Sequence, residues 1–183
     1  MLDACAELVD QVGYDGLTTT LLADKAGVAI GSVYQFFPDK RAIVQALTLR
    51  SLDAYLERLS KRIADGGLQV WWDAVDAAIG EYIDMHRHVP GFRTLHFGDV
   101  VDLHLLDDER DNNDVIVSQL GALLIERFGI LDAVRLQFVL AIAVETADAL
   151  IKLAFLRDMT GDEAVLTEAK ALIREYLHRH VTA

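Results

Sequence analysis

Thr18, Thr19, Ser32, Tyr34, Gln35 and Lys40 gather hydroxyl, amide and ammonium groups into one short N-terminal stretch. Hydroxyls and an ammonium suit phosphate oxygens, and a carboxamide can pair with two edge atoms of one adenine. Ala29 and Ile30 offer methyl surface for a thymine methyl, and Gly31 leaves room for close approach. Each residue also has a plainer use. Thr18 can cap a helix, Tyr34 can be a half-buried ring, and Lys40 can be an ordinary solvated cation.

A second set of residues invites metal or acid/base chemistry. His86, His88, His96 and His104 could ligate, with Asp107 and Asp108 beside the last. Residues 86 and 88 diverge on a regular helix, however, and neither a Cys-rich nor a His-Glu-x-x-His pattern supports them. No metal site is expected, and these imidazoles are better suited to a polar ligand or to solvent. Glu145, Asp148 and Lys152 interrupt a strongly apolar run. An unpaired buried charge is costly, so a salt bridge, a ligand or exposure must resolve them. Asp148 and Lys152 have the i,i+4 spacing of a local ion pair, which leaves Glu145 as the better ligand contact. Lone Cys5 sits between alanines and reads as buried filler. With neither a nucleophile–base–orienter set nor a cofactor motif, an enzyme is not expected.

These groups need elements to hold them, and the apolar spacing is helical almost throughout. A first helix ends near Val12, with Gly13 as its stop. Thr18 caps a second helix that closes at Gly27, and a third runs over residues 30–36. Two short helices around a glycine turn are the signature of helix-turn-helix. Val28 would plug the angle between them, and Val33, Phe36 and Phe37 would supply core bulk. Pro38 and Asp39 then open a long helix over residues 40–64, stopped at Gly66-Gly67. Further helices follow over residues 69–88, up to 128, 132–158 and 163–180. Residues 92–104 read as one or two short helices, although part could pass for a strand. The whole is all-α, with about nine helices, divided into residues 1–47 and 48–183.

Composition sets outer bounds. The 183-residue chain is 52% hydrophobic with only 2 Pro and 12 Gly, as long helices around a substantial core require. A single cysteine excludes an internal disulfide and fits a reducing compartment. The acidic start MLDACAELVDQVG is wrong for a signal peptide, and no continuous apolar run reaches membrane-spanning length, so a cytoplasmic protein without a membrane partner is expected. Net charge is -12, an obstacle to phosphate binding. Residues 1–50, however, carry six acids against four bases, a net of -2.

The stretches LDACAELVDQVGYDGLTT, LLADKAGVAIGSVYQFFPDK and RAIVQAL resemble the TetR family of bacterial regulators. The likeness includes the Ala-Gly-Val turn, the small-residue start of the third helix with its Tyr and Phe, and the Pro-Asp-Lys cap. It implies a helix-turn-helix unit binding double-stranded operator DNA, with Thr18, Thr19, Ala29, Ile30, Gly31, Ser32, Tyr34, Gln35 and Lys40 at the interface. In that setting Tyr34 and Lys40 hold phosphates. Two departures bear on affinity. Ala29 stands where the family often has Ser, and the chain opens on Met1-Leu2-Asp3 without the usual basic arm. Either the start lies further upstream or DNA binding is weaker.

The resemblance further implies a homodimer and a small-molecule effector. Leu136, Leu140, Ala143, Ala147, Leu150, Ile151 and Ala154 form one apolar stripe, and Leu166, Ala169, Leu172, Ile173, Tyr176 and Leu177 another. They resemble the family's dimer-forming helix pair, although intrachain core explains them too. The effector cavity is expected between the helices at 40–64, 69–88, up to 128 and 132–158. Its candidate contacts are Trp72, Tyr82, Met85, His86, Phe92, His96, Phe97, Phe128, Phe138, Glu145, Asp148 and Phe155. Each aromatic either lines the cavity or fills the core. The function expected is a repressor released from its operator by a small molecule. Two other classes are an adaptor whose reader serves a protein partner, favoured by the acidic balance, and an acid/base or metal enzyme.

Overall fold

The computed structural model describes residues 1–94 and 112–181. Among these residues all regular structure is helical: α1 (Leu2–Gly16), α2 (Thr19–Ala26), α3 (Ile30–Phe36), α4 (Lys40–Asp65), α5 (Trp71–His88), α6 (Asn112–Phe128), α7 (Ala133–Arg157) and α8 (Glu163–His180). Eight helices are therefore described against about nine expected. Most of the 92–104 segment, with His96, Phe97 and His104, lies outside the described residues.

Local chemistry explains the boundaries. The Thr18 hydroxyl accepts the Leu21 N–H at 3.2 Å and starts α2. Gly27 ends α2 at φ 66°, a left-handed conformation with a Cβ penalty for other residues. Asp39 caps α4 by accepting the Ala42 N–H at 2.9 Å. Asp73 accepts the N–H groups of Val70 and Gln69, which hold its carboxyl below the ordinary range and fix the start of α5. At Gly13 the expected stop is instead a kink, with φ 69°, and helical turns resume to Gly16.

Two separate cores form. Cys5, Leu8, Val9, Leu17, Leu22 and Val33 pack against Ile43, Val44 and Leu47 at the start of α4. From Leu52 onward α4 contributes to the other core, made with α5 to α8. One continuous helix thus belongs to both. Phe36 and Val28 correct the expectation of bulk in the first core. Phe36 is 68% exposed and Val28 is exposed in the turn, because Val33 and Leu22 already fill the angle between α2 and α3.

Candidate DNA interface and ligand cavity

The outer face of the N-terminal unit is built by α3 and the ends of its neighbours. Ala29, Ile30, Gly31, Tyr34 and Gln35 are exposed there, and Ser32 is half-buried. Tyr34 is 52% exposed, and its hydroxyl lies 3.0 Å from Thr19 Oγ1, so the two hydroxyls of adjacent helices form one polar pair. Ala29 caps α3 without a side-chain hydrogen bond. A Cβ at Gly31 would meet nothing within 4 Å. Packing within the chain therefore does not require a glycine at this position.

Lys40 is not simply a solvated cation. Its ammonium donates to the Tyr14 carbonyl at 3.1 Å and lies 4.3 Å from the Tyr14 ring centroid. The charge is held in place at the start of α4. Thr18 uses its hydroxyl on the α2 cap and remains exposed.

The second site is a cavity of about 50 Å³ in the larger core, partly open to solvent. Tyr55 of α4, Val75, Ala78, Ile79 and Tyr82 of α5, and Asn113, Ile116 and Leu120 of α6 form three of its walls. Leu140, Ala143, Val144, Ala147, Asp148 and Ile151 of α7 form another, closed by Ile173 and Leu177 of α8. The wall is almost wholly carbon. Its polar groups are engaged with one another: the Tyr82 hydroxyl donates to Asp148 Oδ1 at 2.6 Å, and Lys152 pairs with Asp148 Oδ2 at 2.8 Å. The Tyr55 hydroxyl donates to the Ala78 carbonyl at 3.1 Å. Burial, reinforced by the Glu81 carboxylate, pushes that phenol well above its ordinary pKa and keeps it a donor.

Of the expected effector contacts, Tyr82 and Asp148 lie on this wall. His86 stacks on Phe155 at a 4.9 Å centroid distance and meets Tyr82 and Phe92 edge-on, and Phe92 meets Tyr82 in the same way. Met85 is fully buried. Trp72 is half-buried beneath the Arg174 guanidinium, and Phe128 is half-buried against the core. Phe138 is corrected outright: it is 57% exposed on the outer side of α7. Glu145 is also exposed, accepting from Asn113 at 2.8 Å, whereas its neighbour Asp148 faces inward. Sequence spacing missed Asn113 and Ala78, which carry no aromatic signal, and Tyr55, an aromatic whose place on the wall only the packing decides.

The expected dimer residues need a larger correction. Leu136, Leu140, Ala143, Ile151, Ala154, Leu166, Ala169, Ile173 and Leu177 are buried within the chain's own core, and Ala147, Leu150 and Tyr176 are half-buried. Of the two stripes only Leu172 is exposed. α7 is apolar nearly all round, and the chosen stripe is the side that turns inward. Its other side carries exposed Val134, Phe138, Ile142, Leu153 and Leu156 at helical spacing, a stripe that Glu145 and Thr146 interrupt.

Three further facts limit the chemistry. Among the described residues no group of three or more His, Cys, Asp or Glu could hold a metal, and no helix is long and apolar enough to cross a membrane. Arg58 and Arg62 neutralise buried Glu81 from α4, at 2.5 and 3.2 Å, so this carboxylate ties α4 to α5.

Residues 1–47 match the family described as bacterial regulatory proteins, tetR family, and residues 69–181 match the tetracyclin repressor-like C-terminal domain. A TetR-family transcriptional regulator from Streptomyces coelicolor is 39% identical, with a TM-score of 0.83 over 98% of this chain and 96% of that one. The tetracycline repressor protein class D of Escherichia coli is 40% identical over 52 residues, which span 28% of this chain and 24% of that repressor. The fold is shared by FadR from Bacillus subtilis, solved in complex with stearoyl-CoA, at a TM-score of 0.73 and 16% identity over 96% of this chain and 95% of that one.

Proposed function

The chain belongs to the TetR family of bacterial regulatory proteins, and from that premise we propose that it is a dimeric transcriptional repressor whose hold on operator DNA is released by a small molecule. The observation that carries this reading is α4. One rigid helix contributes Ile43, Val44 and Leu47 to the core beneath the exposed α3, and Tyr55 to the cavity wall. A ligand that displaces Tyr55 or its neighbours therefore shifts the element on which the reader is mounted. Such coupling requires only that the ligand bind the two arrangements with different affinity.

In the DNA-bound state α3 lies in the major groove. Ile30 and Ala29 face thymine methyls, Gln35 reads a base edge, and Thr18, Thr19, Tyr34 and Lys40 meet phosphates. Two copies place their readers about 34–36 Å apart, one turn of DNA. The exposed α7 stripe, with Leu172 of α8, is the self-association face, because large apolar side chains exposed at helical spacing on both sides of Glu145 and Thr146 call for a partner. Residues 1–47 act as the reader and residues 48–183 as the effector and dimerisation domain. The ligand class is predominantly apolar, in keeping with a wall whose polar groups already satisfy each other. Binding, rather than catalysis, is the activity this arrangement supports.

Operator selection from genomic fragments with the full chain, followed by challenge of the complex with small molecules, tests the proposal. A specific duplex bound by two copies and released by an apolar compound is expected. Failure to enrich any duplex sequence would overturn the reading.

A further inference from the structure

Beside the inner cavity runs a second, largely apolar space, a groove of about 180 Å³ between α4 and α6, lined by Leu56, Leu59, Ser60, Ile63, Gln119 and Leu123 together with Ile116 and Leu120. Ile116 and Leu120, one turn apart on α6, line the inner cavity as well. The two spaces are thus adjoining compartments that touch the same two side chains. On α4, Tyr55 faces the inner one and Leu59, one turn further on, faces the outer one. Neither side chain has a rigid polar tether across the partition: Ile116 and Leu120 are aliphatic and can change rotamer.

From this shared wall we infer that the effector is an elongated amphiphile, whose apolar chain occupies the inner cavity and, once Ile116 and Leu120 change rotamer, extends past them into the α4–α6 groove. The identification rests on the regulator reading above and adds the shape and polarity of its ligand. The inner end needs no polar group, because the oxygens of Asp148 are already engaged by Tyr82 and Lys152. The polar end belongs outside, where Ser60 and Gln119 are exposed on the two rims of the groove. This placement also gives the ligand leverage. Chain that fills the groove lies directly between α6 and α4, the helix that reaches the reader. A compact molecule confined to the inner cavity would touch α4 at Tyr55 alone.

Straight-chain primary alcohols from hexanol to dodecanol, titrated into the full chain by calorimetry, provide the test. If both compartments accept the chain, affinity rises about fourfold per methylene through the longest members, the factor expected for transferring one methylene from water. Ser60→Trp and Gln119→Trp place a large ring in the outer groove from exposed positions that leave the core alone. In each, hexanol should bind as in the parent chain while dodecanol loses at least tenfold, with the melting temperature unchanged. An affinity that stops rising at the same short length in parent and variants, or long alcohols that ignore both tryptophans, would overturn the inference. Absence of binding by every alcohol would overturn it too, and a specific operator complex in that same protein would leave the regulator reading standing.

Discussion

The Asp10 carboxylate on α1 accepts the Gly91 backbone N–H at 2.8 Å, joining the N-terminal unit to the turn that follows α5. Its second oxygen accepts the Thr94 hydroxyl at 3.0 Å. Gly91 sits at φ 77°, where a Cβ would come within 2.9 Å of Ala6 Cα. This latch is a second connection between reader and cavity domain, independent of α4. Asp10→Ala removes a charge-assisted bond and should cost about 1–2 kcal/mol in denaturant unfolding, with Asp10→Asn costing less. Faster hydrogen exchange at the Gly91 amide should accompany the loss. Unchanged exchange there would mean that the latch carries nothing.

Gly31 separates folding from DNA contact. Because a Cβ at this helical position meets nothing in the chain, Gly31→Ala should raise stability by up to about 1 kcal/mol. Operator affinity should fall, since the same Cβ then stands between α3 and the duplex. A melting curve and a binding isotherm on one sample decide the matter. A variant that is stabilised and binds normally would place DNA away from Gly31.

Tyr34 and Gln35 are neighbours with different expected signatures. Tyr34→Phe deletes the hydroxyl paired with Thr19 and should weaken all operators alike. Gln35→Ala should cost about 1–3 kcal/mol on the preferred sequence and relax discrimination at one base position. Competition between matched and mismatched duplexes distinguishes a uniform loss from a selective one.

The two sides of α7 should respond oppositely. Leu156→Glu combined with Phe138→Glu alters exposed positions, so sedimentation should report monomers with intact helicity. Leu140→Ala instead empties buried volume and should cost about 2–5 kcal/mol whatever the association state. Dimers that persist in the double glutamate variant would move the interface elsewhere.

Cys5 offers a pH-dependent probe. Burial raises its thiol pKa to about 11, against a smaller opposing effect from Arg50 and the N-terminus. The native thiol should therefore resist alkylation at pH 8 until the chain unfolds. Between the ordinary thiol value and 11 the unfolded chain releases this proton while the folded chain keeps it. The group therefore lowers stability as pH rises across that window. Cys5→Ala should flatten that part of the profile.

Periodicity and end signals were enough to locate Thr18, Gly27 and Asp39 as helix boundaries, because caps and glycine turns are local chemistry. The ordered match from Leu2 to Leu47 likewise implied the reader, and α3 follows with its expected limits. Which side of an element faces inward is another kind of information. α7 is apolar around most of its circumference, so spacing alone placed Leu140 and Phe138 on the wrong sides of the question. Only the packing of α6 and α8 against α7 decided that Leu140 is core and Phe138 is surface. The cavity depended on the same fact. Empty space is a property of several helices at once, whereas a sequence states only what each position can contribute.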